Sequence, residues 1–462
     1  MGSAEDEDIS VMVIGAGSGG RLIAQGLRKV SPHILPLTSP LLQKQKQNKN
    51  GSSSSLTQLL TLSLKAGIPC TVFEQDASLD ARTRDWDFGI YWAQTPLGAC
   101  LPPDVRARIV AAQVDNVAPS ADAHLATFNA ETGELMRRVP APYYLRLRRR
   151  EFARVMGGGI DIRYGKRLVS VDATSGDGVT AIFGDGTRHT ATVLVGAEGA
   201  HSPVREYLVG PEKGALLNSG VVLSIVQSKL PVGKALELCR LHPRNALTFH
   251  PNGTFMWFGV HDAYDKPDPA EWEFTFMTSW KQTGPVAFAD SKEIIRDMKQ
   301  RAAVFAEPFR SIADAIDEKR KAYSNYLPYW PTQGWEGHPA RGKVTLAGDA
   351  AHPMTPHRGQ GLNNAILDCH QFVQQVEAMP GRTPEALSEA VVRYETEMWE
   401  RGHEAVMSSL ENSLAVHDWD VLMQSPFFKD GLTQTAARMG NGRGEKDAQQ
   451  SPTKVRPEGL SA

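Results

Sequence analysis

Apolar residues recur along the chain with two different periods. Residues 9–14 form an apolar run of strand length, and apolar positions within residues 22–27 follow with helical spacing. A second apolar run, residues 344–347, also leads through a turn into a helical pattern. By contrast, polar and aromatic side chains alternate over residues 271–277, which predicts an antiparallel strand with one polar face. The pattern therefore predicts an α/β protein that also contains an antiparallel sheet.

The end of the chain and one internal segment differ from this pattern. Residues 383–424 have the spacing of amphipathic helices, whereas residues 439–462 are a polar, Gly- and Pro-containing tail that we expect to be disordered. A polar low-complexity run lies inside residues 30–65, which we interpret as a disordered insertion. Its removal would make Gly67 the end of the first helix. A retained intron and a natural surface loop both explain the insertion, and the sequence leaves both open.

Composition narrows the class of protein. The chain has 462 residues, 41% of them hydrophobic and 22% charged, which is ordinary for a soluble globular protein with two or three domains. The net charge of −2 argues against a nucleic-acid-binding protein. The four cysteines are widely spaced and predict reduced thiols and no metal site. Because the acidic N-terminus lacks a signal peptide and no apolar run is long enough to span a membrane, we expect a cytoplasmic protein.

A glycine-rich turn follows the first apolar strand. Gly15, Gly17 and Gly20 form a GxGxxG fingerprint between that strand and the first helix. In this context the glycines allow a tight turn and let a helix N-terminus approach a pyrophosphate, so the motif predicts binding of FAD or NAD(P). The acid that binds the ribose is expected about 20 residues further on. Glu74 ends the next strand, and removing residues 30–65 brings it to that spacing.

The stretch after the apolar run at residues 344–347 carries a second set of candidate ligands. Asp349 ends the strand, where a carboxylate can accept a hydrogen bond from a sugar-type hydroxyl. A Pro/Gly-rich turn then leads into a helix that opens at residues 359–364, and its glycines let backbone N–H groups approach a ligand. The residues we single out in this helix start are Gly359, Gly361, Leu362 and Asn363.

Two further charged residues follow strand or helix patterns. Arg149 opens an apparent helix before the strand at residues 160–164, although it also belongs to a basic run that is equally typical of a surface. Glu198 follows the buried-looking strand that begins at residue 191 and is succeeded by glycine.

Taken in chain order, five elements of the sequence resemble the FAD-dependent aromatic-ring hydroxylases, the group A flavoprotein monooxygenases with the para-hydroxybenzoate hydroxylase fold. These elements are the glycine fingerprint, Glu74, Arg149, Glu198 and Asp349. The resemblance spans residues 9–375, and the run at residues 84–92 resembles the fungal salicylate-hydroxylase-like subgroup. It implies a discontinuous Rossmann-type FAD-binding domain, an antiparallel-sheet substrate domain and C-terminal helices. The implied segments are 9–90, 145–205 and 336–382 for the FAD-binding domain, 91–144 for a connecting, substrate-contacting segment, 206–335 for the substrate domain, 383–438 for the C-terminal helices and 439–462 for the tail.

The resemblance also implies a chemistry. FAD would be held non-covalently, NAD(P)H would be the co-substrate, and one oxygen atom from O2 would enter an aromatic or polycyclic small molecule of fungal secondary metabolism. Glu74 would bind the adenosine ribose, Asp349 the ribityl chain, and Arg149 the ribityl-phosphate region. The turn at residues 359–363 would follow the isoalloxazine edge. Glu198 stands where the family has Asp in a motif associated with the pyrophosphate and NAD(P)H.

No residue has a clear claim to be the catalytic base. Tyr91, His250 and His352 are candidates because a phenol substrate must lose a proton, although each type is more often structural. Two other functions stay open at this point: a flavin-dependent oxidase or dehydrogenase that transfers no oxygen, and a non-catalytic FAD-binding protein. A flavin-dependent halogenase would carry a Trp-x-Trp-x-Ile-Pro motif, which this sequence lacks.

Overall fold

A computed structural model of the chain describes residues 9–30, 67–174, 176 and 178–433. The predicted tail at residues 439–462 and all but the first residue of the predicted insertion at residues 30–65 lie outside the described residues. The strands, in chain order, are β1 (Val11–Ile14), β2 (Cys70–Phe73), β3 (Asp87–Ile90), β4 (His124–Asn129), β5 (Leu135–Pro140), β6 (Leu145–Arg148), β7 (Asp161–Arg163), β8 (Leu168–Asp172), β9 (Val179–Phe183), β10 (Arg188–Ala191), β11 (Val193–Gly196), β12 (Leu217–Lys229), β13 (Asn245–Phe249), β14 (Phe255–Asp262), β15 (Glu273–Lys281), β16 (Ala322–Tyr329) and β17 (Val344–Leu346).

Helices connect and cover these strands. The α-helices are α1 (Ser18–Lys29), α2 (Gln94–Cys100), α3 (Pro103–Arg106), α4 (Arg149–Met156), α5 (Pro203–Val209), α6 (Pro211–Gly214), α7 (Val232–Leu241), α8 (Ser291–Ala302), α9 (Phe309–Asp314), α10 (Gly361–Glu377), α11 (Pro384–Ala415) and α12 (Pro426–Asp430). Short 3-10 turns occupy Ile109–Ala112, Pro269–Glu271, Gly348–Ala350, Pro356–Arg358 and Leu422–Gln424. Among the helices described here, none is long and apolar enough to cross a membrane.

The first sheet is parallel and contains the predicted first strand at its centre. Its order is β17-β11-β1-β2-β7, with β1 paired in parallel to both β11 and β2. All four residues of β1 are buried, because helices cover both faces of a parallel sheet and its strands are apolar throughout. Strands far apart in sequence meet here, so this α/β part is discontinuous along the chain.

The described residues that flank positions 31–66, Val30 and Gly67, lie next to each other. The Gly67 N–H donates to the carbonyl oxygen of Val30 at 2.8 Å, and the Ile68 N–H donates to that of Leu27 at 3.1 Å. Gly67 has φ of +97°, and a Cβ there would lie 3.0 Å from the carbonyl oxygens of both Leu27 and Arg28. Gly67 therefore has the geometry of the predicted helix stop.

The second large sheet has seven strands in the order β16-β12-β15-β14-β13-β4-β5. Its central pairs are antiparallel, as the alternation at residues 271–277 predicts, while β13 pairs in parallel with β4. Five strands come from residues 206–335 and two from residues 91–144. One face, including Phe258, Phe274 and Phe276, packs with α7, α8 and α9 into a hydrophobic core. The side chains between those core positions point to the opposite face.

The long C-terminal helix packs against the parallel-sheet part, whereas α12 packs against the seven-stranded sheet. The long helix α11 begins after Thr383, whose hydroxyl accepts a hydrogen bond from the Ala386 N–H at 3.2 Å. It ends at Ala415, before the end of the predicted helical region at residue 424, and only a 3-10 turn and α12 follow in the described chain. It also packs against α10, the helix that follows the turn with Gly359.

Candidate active site

A cavity of about 980 Å³ lies between the carboxyl ends of the parallel strands and one face of the seven-stranded sheet. Such an edge of a parallel sheet is where α/β proteins bind nucleotides. Most of the residues that the sequence singled out line this cavity, namely Gly15, Gly17, Glu74, Tyr91, Arg149, Glu198, Asp349, Gly359, Gly361 and Leu362. Its lining does not include Gly20, Asn363, His250 or His352.

The glycine fingerprint holds the turn after β1 close to its neighbours. Gly15 has φ of +98°, and a Cβ there would lie 2.5 Å from the carbonyl oxygen of Ala197. A Cβ on Gly20 would overlap the carbonyl oxygen of Gly15, so both positions require glycine. Gly17 is the N-cap residue of α1 and lines the cavity. The positive end of the α1 dipole therefore faces a space that could hold a pyrophosphate.

Glu74 is fixed beside this turn by backbone hydrogen bonds. The Ala16 N–H donates to Oε2 at 2.8 Å, and the Asp76 N–H donates to Oε1 at 2.9 Å. Each carboxylate oxygen has a further lone pair, so Glu74 can still accept bonds from ribose hydroxyls. The position is the one that the sequence predicts for a ribose-binding acid.

Basic side chains form one wall of the cavity. Arg149 is the first residue of α4, and its guanidinium lies 5.2 Å from the ring centroid of Trp86. Burial, with the repulsion of nearby arginines, lowers the pKa of Arg149 although Asp85 opposes the change. Other basic residues of the lining include Arg21, Arg82, Arg84, Arg150, Lys166 and Arg167. This wall suits a ligand that carries phosphate groups.

Asp349 follows β17 and is exposed to the cavity, although protein surrounds it on its other sides. Burial raises the pKa of Asp349, while the charges of His352 and Arg149 act in the opposite direction. Its oxygens therefore face the space where a hydroxylated ligand chain would lie.

His352 lies behind this turn and not in the cavity. Its Nε2 lies 2.7 Å from Oδ2 of Asp368, which also accepts the Gly348 N–H at 2.7 Å. Arg401 binds the other oxygen of Asp368 at 2.8 Å, and the contacts with His352 and Arg401 overcome burial to lower the pKa of Asp368 to about 2. Because its side chain is fully buried against Asp368, His352 braces the turn that carries Asp349.

The second glycine turn leaves room for a ligand next to α10. Gly359 is left-handed with φ of +65°, and a Cβ there would lie 2.6 Å from Cε2 of Tyr91. At Gly361, the nearest atom to such a Cβ would be Oδ1 of Asp349 at 3.8 Å, so the described protein leaves open space there. The side-chain amide of Asn363 donates to the carbonyl oxygens of Gly89 and Gly359, at 3.0 Å each. Asn363 thus ties the turn to β3, and Leu362 lines the cavity beside it.

The other two candidate bases differ in position. Tyr91 lines the cavity and is buried, with its ring 5.9 Å from that of Tyr144. Burial raises the pKa of Tyr91, and Arg146 opposes this rise. His250 lies outside the cavity lining in the turn between β13 and β14, with its ring 5.6 Å from that of Phe305. The structure therefore brings Tyr91 to the candidate site and leaves His250 away from it.

Glu198 caps a helix with one oxygen. Its Oε1 accepts the Ser202 hydroxyl at 2.8 Å and the Val204 N–H at 2.9 Å, at the start of α5. Burial raises the pKa of Glu198, although these hydrogen bonds favour the charged form. The longer side chain of Glu, compared with Asp, is thus accommodated by the first turn of α5.

The sheet supplies an apolar wall that the sequence did not locate. Side chains at alternating positions of neighbouring strands share one face, so each strand contributes residues two apart. These residues are Leu125, Leu223, Ile225, Leu247, Phe255, Trp257, Thr275 and Met277. The alternating pattern at residues 271–277 indicated a sheet with two faces, but it could not show which face meets a ligand.

A buried charged cluster lies at the edge of this wall and was also missed. Arg146 and Asp87 form an ion pair, and the Thr275 hydroxyl donates to Oδ2 of Asp87 at 2.7 Å. His261 places Nδ1 3.1 Å from the same oxygen. Burial would raise the pKa of Asp87, but Arg146 and these hydrogen bonds lower it to about 2. In the sequence Arg146 stands only three residues before Arg149, within the same basic run.

His357 is a further missed residue, although it lies inside the motif that drew attention to Asp349. It lines the cavity, and its Nε2 lies 2.9 Å from Oγ of Ser279 while its Nδ1 lies 2.7 Å from Oγ of Ser413. Burial and the nearby His417 hold the pKa of His357 well below its usual value. His357 is therefore neutral at physiological pH. The described residues contain no group of His, Cys, Asp and Glu side chains that could hold a metal ion.

Comparisons with known proteins agree with this geometry. A family model described as "FAD binding domain" matches residues 337–409, which include Asp349 and the second glycine turn. The FAD-dependent monooxygenase cctM of Talaromyces islandicus is 44% identical, covering 92% of this chain and 98% of that protein. The 3-amino-4-hydroxybenzoate 2-monooxygenase PtmB3 of Streptomyces platensis is 30% identical, covering 69% and 76% respectively.

The fold has solved counterparts. The crystal structure of Klebsiella pneumoniae HpxO with FAD and uric acid superposes with a TM-score of 0.65 at 19% sequence identity, covering 94% of this chain and 95% of that one. This likeness confirms the expected combination of a Rossmann-type domain, an antiparallel sheet and C-terminal helices. The cofactor is FAD. The chain belongs to the FAD-dependent monooxygenases.

Proposed function

We propose that this FAD-dependent monooxygenase uses NAD(P)H and O2 to insert one oxygen atom, by hydroxylation or epoxidation, into an aromatic or polycyclic small molecule of fungal secondary metabolism. The observation that carries the proposal is the continuity of the cavity. It runs from Glu74 and the glycine fingerprint, past Asp349, to the apolar sheet face with Trp257. One end has the groups that a dinucleotide needs, and the other has the apolar and aromatic walls that a planar substrate needs.

The residues near the parallel sheet suit FAD in the order that the resemblance implies. We assign the adenosine ribose to Glu74 and the pyrophosphate to the turn with Gly15 and Gly17, with Gly20 allowing the close approach of α1. We assign the ribityl chain to Asp349 and its phosphate end to Arg149. The isoalloxazine edge then lies along the backbone of Gly359, Gly361, Leu362 and Asn363, where the space beside Gly361 supports this placement.

The remaining part of the cavity suits an aromatic substrate. Its walls are aliphatic and aromatic side chains, and such walls exclude water from a reactive centre. The name of PtmB3 describes that relative as acting on a hydroxybenzoate, and cctM is a fungal protein. The first fact supports a ring-bearing substrate for this chain, and the second supports a place in fungal metabolism.

FAD, when bound, supplies the redox chemistry that takes electrons from NAD(P)H and passes them to O2. The chain itself positions the cofactor and substrate and keeps water out. Of the candidate bases, Tyr91 lines the cavity, so it can exchange a proton with a bound phenol. The sequence carries a single dinucleotide fingerprint, which favours a transient visit by NAD(P)H over a second nucleotide-binding domain.

The test is to purify the protein, measure its flavin absorbance, and follow oxygen uptake with NADH or NADPH. Polyketide, indole-alkaloid and simple-phenol panels should include compounds that stimulate uptake and gain one oxygen atom. Substrate turnover with hydrogen peroxide as the sole reduced oxygen product would instead indicate an oxidase. A yellow protein that consumes no NAD(P)H and oxidises no compound would indicate a non-catalytic flavoprotein.

A further inference from the structure

Arg146 lies where the two parts of the cavity meet. It belongs to β6, opposite Gly89 of β3, and its guanidinium lies 4.6 Å from the ring centroid of Trp257 on the apolar wall. The side chain is 7% exposed and lines the cavity. A charged group in such a place requires partners, since burying an uncompensated charge is costly.

Those partners hold the guanidinium in one position. Asp87 forms the ion pair with Nη2 of Arg146. Thr275 and His261, both on the seven-stranded sheet, hydrogen-bond to Asp87 in turn. Desolvation disfavours the charge on Arg146, but Asp87 raises its pKa overall, so it stays protonated. The cluster therefore presents a fixed cation at the edge of an otherwise apolar wall.

A second buried arginine shows what a purely structural arrangement looks like in this protein. Arg244 pairs with Asp115 and lies 5.1 Å from the ring centroid of Tyr144, so it has the same kinds of partner as Arg146. Its Nε binds Asp115 at 2.9 Å, its Nη1 donates to the Tyr144 carbonyl oxygen at 3.3 Å, and its Nη2 binds Asp115 at 2.9 Å. All three guanidinium nitrogens of Arg244 thus bind protein atoms, and Arg244 does not line the cavity.

Arg146 differs from Arg244 in its hydrogen bonds and in its position. Its contacts with Asp87 run through a single nitrogen, Nη2, of a group that carries five N–H donors. It faces the cavity, and the hydroxyl of Tyr91 interacts with the same guanidinium. The Tyr91 ring in turn lies against Gly359 of the second glycine turn. A ligand oxygen on Arg146 would therefore lie between the apolar wall and that turn.

We propose that Arg146 anchors the acidic ring oxygen of a planar phenolic substrate, with Asp87 as the residue that positions it. This inference rests on the proposed function and narrows its substrate class to aromatic compounds with an ionisable hydroxyl. A planar guanidinium donates to such an oxygen through charge-assisted hydrogen bonds, and Trp257 beneath it offers a surface for the ring. An aromatic ether of the same shape lacks the ionisable oxygen and gains only the apolar contacts.

The test compares 1,3-dihydroxynaphthalene with 1,3-dimethoxynaphthalene, using holoenzyme and the change in flavin absorbance on binding. We expect wild-type protein to prefer the dihydroxy compound by about tenfold or more, the scale of a charge-assisted hydrogen bond. Arg146→Met should abolish the preference by weakening the dihydroxy compound alone. Arg244→Met is the matched control and should keep the preference, because Arg244 lies away from the cavity.

Arg146→Lys keeps the ion pair with Asp87 and should keep a reduced preference, so it decides the matter if Arg146→Met does not fold. A preference of wild-type size in Arg146→Met, or in Arg146→Lys if Arg146→Met does not fold, would overturn the proposal, as would a wild type that shows no preference. So would an absence of dihydroxynaphthalene binding to wild type. FAD content and NAD(P)H oxidation are measured on the same wild-type samples. If wild type lacks FAD or does not oxidise NAD(P)H, the proposed function is contradicted. If both are present but the dihydroxy compound is not preferred, only the role of Arg146 is contradicted.

Discussion

The backbone N–H of Tyr91 donates a hydrogen bond to Oδ1 of Asn363, with the two atoms 2.9 Å apart. Asn363 lies in the first turn of α10, next to the second glycine turn, and Tyr91 follows β3. This bond, with those from the Asn363 amide to Gly89 and Gly359, fixes the wall of the cavity that carries Tyr91 against the turn. The proposed isoalloxazine position and the proposed substrate position are therefore held at a set distance by one buried side chain.

Asp349 provides the first prediction. Asp349→Ala removes the carboxylate that faces the cavity, and we expect FAD binding to weaken by about 1.5–3 kcal/mol, the range for a hydrogen bond to a charged group. Flavin absorbance after dialysis measures the effect. Asp314→Ala, in a carboxylate of α9 away from the cavity lining, is a control. Full flavin occupancy in Asp349→Ala would contradict the ribityl assignment.

Gly361 tests the place of the ring. The described protein has space for a side chain there, so Gly361→Val should leave the thermal unfolding of FAD-free protein almost unchanged. In the presence of FAD, the valine should crowd the isoalloxazine, lower flavin occupancy and uncouple NADPH oxidation from product, with release of hydrogen peroxide. Gly15→Val makes a useful contrast, because its side chain would meet the backbone of Ala197 and destabilise the fold itself. Coupling that is unchanged in Gly361→Val would mean that the turn lies elsewhere.

The sequence was most informative where a short segment carries its own geometry. Gly15 and Gly67 could be assigned because a tight turn or a helix end depends on neighbouring residues, and both have the positive φ that such places require. Arg146 could not be assigned, since its position in the cavity depends on Asp87, Trp257 and Thr275, which belong to three other strands. His357 lay within the motif, but its partners Ser279 and Ser413 come from distant elements. Local motifs thus predicted the residues that we assign to the cofactor, whereas long-range packing forms the wall that we propose for the substrate.

Glu395 should make stability depend on pH. Its side chain is fully buried on α11, accepts the Trp335 indole N–H at 3.1 Å, and has a pKa raised from 4.5 to about 7, chiefly by burial. The folded state therefore holds this proton more tightly than the unfolded state. The resulting stabilisation is complete below pH 4.5 and is lost as the pH rises to about 7, with a magnitude of ~3 kcal/mol.

Glu395→Gln keeps the shape and removes the titration. We expect urea unfolding of this variant to show a smaller fall in the free energy of unfolding between pH 5 and pH 8 than the wild type shows. Glu389→Gln, on an exposed part of the same helix, should follow the wild type. Equal slopes in wild type and Glu395→Gln would contradict the raised pKa.

The segment at residues 30–65 gives a prediction about folding. Val30 and Gly67 are hydrogen-bonded neighbours, so in a chain that joins Lys29 to Ala66, Ala66 can take the place of Val30 and preserve the turn between α1 and β2. We expect the deletion protein to fold and bind FAD at least as well as the full chain, as measured by soluble yield and flavin content. Loss of soluble protein would show that the segment is a structural part of the molecule. Transcript sequencing would separately distinguish a retained intron from a natural loop.

The central claim is that one cavity holds FAD beside an aromatic substrate that receives an oxygen atom from O2. The most direct measurement is mass spectrometry of the product formed with NADPH and isotopically labelled O2, using a phenol that perturbs the flavin absorbance. We expect one labelled oxygen atom in each product molecule and none when the label is in water. Consumption of NADPH with label recovered only in hydrogen peroxide, or a product labelled from water, would contradict it.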